Sequence, residues 1–321
     1  MDRRTLIKTV AAAGVGVAVA GCNQGSGGDD GDEVDEDEAE GHIEAAAELH
    51  VENTEAFASF SGEVTGSGDT PDTFDAAAVT DRVDEASDEL DDAEEVATDE
   101  QAETIESLRA MGDAQGEAAA MFGGFATMTA TFDEVDSDVD RDDWESVAGS
   151  LDGMESVEAD AASALEAYRR AIEDVDADAL EGLEASLDDL TAAVDPVAQR
   201  FETFAVYLDG FRPLVDGIIA FQEGADRLDT EEYGASAEAF ATAEARFGES
   251  NRVYTENDFE GEYVPDISGD LAAIRCQTAA LRDAADYFER AALALRDGDQ
   301  QTANDLADRA TQRLEECDGN L

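Results

Sequence analysis

The sequence predicts an all-α protein built from antiparallel helical hairpins, which form a bundle or a short solenoid. Apolar residues recur at helical spacing through most of the chain, and no stretch alternates apolar and polar residues as a strand does. Thr98 and Gln101 have the spacing of a capping box, which opens a helix. With 43% hydrophobic residues, the chain has enough apolar material for a sizeable core despite its charge.

The first three helices follow from apolar spacing. Residues from Ile43 to Phe57 predict the first helix, a loop is predicted over residues 61–72, and residues 74–96 predict the second helix. The third helix begins after Thr98 and contains the most apolar stretch, Ala118–Phe132. That stretch has about 15 residues and two internal glycines, so it is short for a membrane span and is predicted to be packed core.

The second half of the chain predicts further helices, with Pro196 and Pro213 placed near helix starts. A longer loop is predicted over residues 255–266, and Gly298 lies in the tight turn between the last two helices. The predicted helices cover residues 144–175, 177–194, 196–208, 211–228, 231–254, 268–296 and 300–316.

The charge balance indicates adaptation to concentrated salt. Asp and Glu number 82 against 19 basic residues, which gives a formal net charge of -63, and Lys8 is the only lysine. At low salt this charge opposes compaction, whereas at molar salt the Debye length falls to about 3 Å and screens it. A cation-storage or basic-ligand surface is the alternative reading. Nucleic acid is excluded as an expected partner, because phosphate binding needs clustered Lys and Arg.

The first residues have the organisation of an export signal. Arg3 and Arg4 precede an apolar run over residues 10–20, which is too short to span a bilayer as a helix. The paired arginines resemble a twin-arginine signal, the kind read by a receptor that exports folded proteins. Residues 19–22, Val-Ala-Gly-Cys, resemble a lipobox.

These two motifs together resemble the export signals of haloarchaeal lipoproteins. The resemblance implies that residues 1–21 are a signal peptide that is removed and that Cys22 carries the lipid. The chain is then expected at the outer face of the cell membrane, anchored through Cys22. Residues 22–40 are rich in Gly, Ser and acidic residues, and are expected to form a flexible tether. The rest is divided into an N-terminal helical bundle, residues 41–210, and C-terminal hairpins, residues 211–321.

The last third of the chain weakly resembles tetratricopeptide repeats. Two helix–turn–helix segments carry small residues where their helices cross, and Leu228 and Leu295 lie 67 residues apart, close to two periods of about 34. The resemblance implies partner binding in a concave groove, which aromatic residues such as Phe221, Tyr233, Phe240 and Tyr254 would line. Generic helical hairpins with alanine at their contacts give the same pattern.

The residues that support metal or acid–base chemistry are few. His42 and His50 lie eight positions apart on a predicted helix, about 12 Å, which is too far for one shared metal. Alternating aspartates at residues 136–142 and 174–178 lack the glycine and glutamate of a calcium loop. No phosphate loop, nucleophile elbow or Cys-x-x-Cys motif is present. No catalytic residue, metal site or cofactor is therefore predicted.

Cys276 and Cys317 are predicted to form a disulfide. With Cys22 assigned to lipid, two cysteines remain in the exported part, where oxidation is permitted. They lie on the two final helices, 22 residues before and 19 residues after Gly298, so an antiparallel hairpin places them at similar heights. Two buried free thiols are the alternative.

The function that these observations favour is a lipid-anchored binding or scaffolding protein at the cell surface, with a protein partner. The alternative is a metal- or carboxylate-dependent enzyme, or a metal-binding factor, that uses acidic residues in a helical pocket. A buried cluster of three or more carboxylates would favour this alternative.

Overall fold

The computed structural model describes residues 36–66, 73–257, 271–315 and 317. All regular structure in these residues is helical, which confirms the predicted all-α class. All of them belong to one compact unit. The helices are α1 (Glu36–Gly66), α2 (Ala76–Glu94), α3 (Asp99–Val139), α4 (Trp144–Ala171), α5 (Leu187–Asp229), α6 (Tyr233–Glu256), α7 (Leu271–Arg296) and α8 (Gln300–Glu315), and one 3₁₀ turn follows α4 at Ile172–Asp174.

Helices α1 to α4 and the first half of α5 enclose the main hydrophobic core. The predicted core stretch of α3 lies at its centre, where Met121, Phe122 and Met128 have no exposed surface. Phe57 of α1 packs edge-on against Phe122, with ring centroids 4.9 Å apart. The predicted capping box is present, because Thr98 accepts from the backbone N–H of Gln101 and the Gln101 side chain accepts from that of Thr98.

Helices α5 to α8 form a second layer in which each helix packs mainly against the next one along the chain. Antiparallel hairpins are therefore the building unit, as predicted. The tetratricopeptide resemblance stays a prediction.

The α5–α6 contact has a regular pattern. Gly210, Gly217 and Gly224 recur every seven residues on α5 and lie under the rings of Tyr254, Phe247 and Phe240, which recur every seven residues on α6. A Cβ atom on any of the three glycines would come within 2.9 Å of its ring. We call these six residues the glycine–aromatic seam. The Tyr254 hydroxyl also donates to the carbonyl oxygen of Tyr207 at 3.2 Å.

The loop predicted from residue 61 begins later in the structure. Helix α1 continues to Gly66 because Phe60 and Val64, only 5% and 1% exposed, pack into the core. The rest of this predicted loop, residues 67–72, lies outside the described residues. Most of the loop predicted at 255–266 also lies outside them.

The helix predicted over residues 177–194 is wrong in its first half. Residues after the 3₁₀ turn form successive turns, in which the Asp176 carboxylate accepts from the backbone N–H of Asp178 and Gly182 has a φ of +99°. Helix α5 begins only at Leu187, where the Ser186 hydroxyl accepts from the backbone N–H of Asp189. Local side-chain hydrogen bonds therefore outcompete the helical ladder in this segment.

The helix ends predicted beside the two prolines are also wrong, because α5 runs through Pro196 and Pro213 without a break. Each proline removes one backbone hydrogen bond, but buried apolar residues on both sides, such as Val194 and Val215, hold the helix against the core. The predicted boundary between residues 210 and 211 falls inside this continuous helix. Helix α5 thus belongs to both the bundle and the hairpin layer.

Candidate functional site

The residues assigned to export and lipidation and those assigned to a disulfide lie in separate parts of the chain. Arg3, Arg4 and Cys22, assigned to export and lipidation, lie outside the described residues. Cys276 of α7 and Cys317, just beyond α8, form a disulfide with their Cα atoms 5.8 Å apart.

The two histidines of α1 do not share a site. His42 Nδ1 lies 2.5 Å from Oε2 of Glu89 on α2, and this hydrogen bond raises the pKa of His42. His50 is buried and reaches α3 instead. Each histidine therefore joins α1 to a different neighbouring helix.

His50 belongs to a buried polar network. Gln115 Nε2 donates to the carbonyl oxygen of His50 at 2.8 Å, which leaves Gln115 Oε1 to accept from His50 Nδ1 at 2.8 Å and from Asn53 at 3.0 Å. The Arg82 Nε donates to Asn53 Oδ1 at 2.6 Å. Burial lowers the pKa of His50, and its hydrogen bonds with Gln115 and with the backbone of Leu108 offset only part of this effect. The network joins α1, α2 and α3 in one register.

The alternating aspartates lie at helix ends. Asp138 pairs with Arg141, Asp140 ends α3, and the carboxylate of Asp143 accepts from the backbone N–H of Ser146 at the start of α4. These residues connect two helices and do not surround a common centre.

The aromatic residues expected in a groove lie elsewhere. Phe240 and Tyr254 are 1% and 0% exposed because they fill the glycine–aromatic seam. Phe221 and Phe288 are half-buried and pack against Phe240, with ring centroids 5.2 and 5.4 Å from it. These rings pack α5, α6 and α7 against one another.

A cleft of about 230 Å³ opens where α4, α5 and α6 meet. Its apolar floor comes from side chains of α4 and α5, and charged side chains from all three helices form its walls. We call it the acidic cleft, and its lining residues are Leu151, Glu155, Glu158, Ala205, Leu208, Asp209, Arg212, Pro213, Asp216, Arg246 and Glu249.

Both arginines of the acidic cleft are already paired. Arg212 forms ion pairs with Asp152, with Glu155 at 3.4 Å and with Asp216 at 3.3 Å. Arg246 pairs with Glu249 at 3.1 Å and lies 3.8 Å from Asp216. Neither guanidinium is therefore available to neutralise the remaining carboxylates of the cleft.

Glu158 and Asp209 are those remaining carboxylates. Neither has a hydrogen bond or an ion pair with any described residue. Burial raises the pKa of Glu158, and the neighbouring Asp209 and Glu155 carboxylates raise it further. Asp209 is an exposed residue, but partial desolvation at the cleft still raises its pKa. The cleft thus holds two unneutralised negative charges beside an apolar floor.

Pro213 adds a backbone acceptor to the same place. A residue at this position of a helix normally donates its N–H to the carbonyl oxygen four residues earlier, which is that of Asp209. Proline has no N–H, so the Asp209 carbonyl oxygen lacks its helical partner. The missing hydrogen bond lies in the part of α5 that lines the cleft.

A second hollow of about 620 Å³ lies between α1 and the region where α5 begins. Small side chains, including Ala58, Gly62 and Ala192, line most of it, and Glu55, Glu184 and Asp189 stand at its border. Pro196 lines this hollow as Pro213 lines the acidic cleft. No pKa shift or unpaired buried side chain marks a polar anchor among these lining residues.

Three half-buried carboxylates, Glu244 of α6 and Asp286 and Glu289 of α7, bring oxygen atoms within 4.8 Å of one another. Burial raises the pKa of Glu289, as do Glu244 and Asp286. Asp286 also pairs with Arg290 at 3.2 Å. Three acidic side chains on so acidic a surface do not by themselves define a cation site.

Sequence reasoning missed Glu158, Asp209 and the rest of the acidic cleft. Carboxylates occur throughout the chain, so two more carry no signal by themselves. Pro213 inside an apolar helical pattern was the available signal, because a proline within a helix frees a carbonyl oxygen one turn earlier.

No family model, curated protein or solved structure matches this chain. Among the helices of the described residues, none combines the length and the apolar character that crossing a membrane requires.

Proposed function

We propose that the chain is a lipid-anchored binding protein at the outer face of the cell membrane of a halophilic archaeon, and that the acidic cleft receives a positively charged group. The export and anchoring part of this proposal rests on Arg3, Arg4 and Cys22 in the sequence. The binding part rests on one observation, the unpaired and partly desolvated Glu158 and Asp209 beside an apolar floor.

Charge complementarity supports a cation as the ligand. Five carboxylates line the cleft against two arginines, and both arginines are engaged with carboxylates. A cationic group between Glu158 and Asp209 would relieve their mutual repulsion and replace the hydration that burial has removed. The bound cation would also lower the pKa of both carboxyl groups.

Salt explains why this cleft differs from the acidic surface around it. At molar salt, attraction between exposed charges is screened within about 3 Å. The half-buried charge of Glu158 is screened less, so it keeps its attraction for a cation where the open surface loses it. Its volume of about 230 Å³ suits a compact group such as an ammonium or a guanidinium. The apolar floor would contact the carbon chain that carries the charged group.

The charged group has two sources, a free small amine or a lysine or arginine side chain of a protein partner. Calorimetric titration of the full-length Cys22→Ser protein in molar KCl distinguishes them. One arm uses 1,4-diaminobutane and argininamide, and the other uses a capped peptide with a single lysine. Selective binding in either arm is the expected result, with proton release at mildly acidic pH that makes the observed binding enthalpy depend on the ionisation enthalpy of the buffer.

The decisive variant is Glu158→Gln with Asp209→Asn, which keeps the shape of the cleft and removes its two unpaired charges. We expect it to abolish binding in the arm that succeeds. The matched control is Asp160→Asn with Asp229→Asn, two exposed carboxylates on the same helices, α4 and α5, that should leave affinity unchanged. An equal loss of affinity in both double variants would mean that binding depends on net charge and not on the cleft. Absence of binding in both arms would refute the cleft as the binding site.

A further inference from the structure

Helix α8 is attached to the molecule differently from every other described helix. It packs extensively against α7 alone, whereas α7 also packs against α6. Its contact with α7 includes a small apolar cluster of Ala303 and Leu306 with Ala291, against which the half-buried Tyr287 and Leu295 pack. Only three apolar side chains of α8 are buried, and two of them are alanines.

Leu306 is thus the one buried apolar side chain of α8 that is larger than alanine, in a helix of 16 residues. A helix of this length is marginal in water without tertiary packing. Arg313 of α8 also forms an ion pair with Asp283 of α7 at 2.9 Å. Asp283 is shared with Arg282, which pairs with it at 2.6 Å, so this contact is not exclusive to α8.

The disulfide lies at the opposite end of α8 from the turn that joins this helix to α7. The turn at residues 297–299 joins the start of α8 to the end of α7. Cys317, just after α8, is linked to Cys276 near the start of α7. Covalent links thus connect both ends of α8 to α7. The link at the start of α8 is the polypeptide backbone, and the link after its end is a disulfide, which can be reduced.

We propose that α8 is a cover over one apolar side of α7 that the Cys276–Cys317 disulfide holds closed and that a dithiol reductant opens. Cys276 is only half-buried, while Cys317 is 2% exposed. A thiolate of the dithiol attacks Sγ of Cys276, the S–S bond breaks, and Cys317 leaves as a thiolate that takes up a proton. The second thiol of the reductant then attacks the reductant's own sulfur in the mixed disulfide. This step releases Cys276 as a thiol and leaves the reductant as a cyclic disulfide.

Opening exposes the side of α7 that carries Tyr287, Ala291 and Leu295 and leaves the rest of the fold in place. The remaining contacts of α7 with α6 do not depend on α8, because they run through other residues such as Ala285, which packs with Phe247. The helices that form the main core do not contact α8 extensively. Reduction therefore changes one surface of the molecule and not its core.

Hydrogen exchange of the full-length Cys22→Ser protein in molar KCl, with and without dithiothreitol, tests this proposal. We expect amides in residues 303–312 to lose protection by at least roughly tenfold on reduction, with amides of α3 unchanged. The Cys276→Ser/Cys317→Ser variant should show the open pattern without reductant and should not respond to it. Leu306→Ala with the disulfide intact is the matched control, and should keep α8 protected.

Two results would overturn the proposal. Unchanged protection of α8 in the reduced protein would mean that packing alone holds it. Equal loss of protection in α3 and α8 would mean that the disulfide stabilises the whole fold and does not act on α8 alone. Reduction of the unsubstituted cysteines decides between these outcomes even where the double variant fails to fold.

Discussion

The ring of Phe247 fills the space that a side chain at Gly217 would need, because a Cβ atom on Gly217 would lie 2.6 Å from Cδ1 of that ring. The same relation holds one heptad earlier and one heptad later along α5, at Gly210 and Gly224. Because the helices are antiparallel, the glycines ascend in number as the aromatic residues descend. The seam lets α5 and α6 approach closely enough for the rings to cover the α5 backbone.

Gly217→Ala should destabilise the protein. The added methyl group meets a ring that is fully buried, and overpacking of this kind costs about 1–3 kcal/mol. Thermal unfolding followed by circular dichroism at constant molar KCl measures the change. Gly153→Ala on α4 is the control, since nothing lies within 4 Å of a Cβ there, and removing a helical glycine should stabilise by about 0.5–1 kcal/mol. Stabilisation by both variants would contradict the seam.

The glycine–aromatic seam could not be predicted from the sequence. Its two heptad series are visible in the sequence, but Phe240 and Tyr254 were expected to line a concave groove, because pairing between helices depends on tertiary register. The disulfide between Cys276 and Cys317 was predictable because one tight turn at Gly298 fixes that register locally. Local signals of this kind also placed the capping box at Thr98 correctly.

The errors at Pro196 and Pro213 have a different cause. Whether a proline ends a helix depends on the packing of residues on both sides, and those contacts come from distant parts of the chain. The acidic cleft could not be predicted for the same reason. Glu158 and Asp209 differ from other carboxylates of the chain only in what surrounds them after folding.

His50 should make the folded state sensitive to mild acid. Burial lowers its pKa in the folded state below the unfolded value of 6.5, so its contribution to stability is present above pH 6.5 and is lost as pH falls through the folded pKa. Urea unfolding between pH 5 and 7.5 in molar KCl should give a smaller decline towards acid in His50→Gln than in the parent protein. Nuclear magnetic resonance titration of the ring should report a pKa below 6.5, and a higher value would contradict the argument.

His42 should behave in the opposite way. Its hydrogen bond to Glu89 raises the folded pKa, so its contribution is present below pH 6.5 and is lost as pH rises through the folded pKa. His42→Gln should therefore be closer in stability to the parent protein at pH 8 than at pH 6. Because His42 reaches solvent, the difference should shrink as salt rises. The same pH series that tests His50 measures it, and identical profiles for the two histidine variants would refute both assignments.

Low salt should unfold the protein. A formal net charge of -63 on 321 residues repels itself, and dialysis from molar KCl to millimolar salt removes the screening. Helical circular dichroism should be lost on dialysis and recovered when KCl is restored. Sucrose at matched osmolarity is the control, because it favours compaction without screening charge. Full cooperative stability at millimolar salt would show that the acidic surface is not an adaptation to brine.

Cys22→Ser should separate export from anchoring. If Cys22 carries the lipid, its replacement in the native host should release the protein into the medium or leave the precursor uncleaved. Cys276→Ser/Cys317→Ser, which keeps Cys22, should stay with the membrane fraction and separates loss of the anchor from loss of a cysteine in general.

Arg3→Lys with Arg4→Lys should block export, so that unprocessed protein accumulates inside the cell. Cell fractionation locates each of the three variants, and mass spectrometry of the N-terminal peptide shows whether its precursor has been cleaved. A Cys22→Ser protein that is fully processed and still membrane-bound would show that something other than Cys22 holds the chain at the surface.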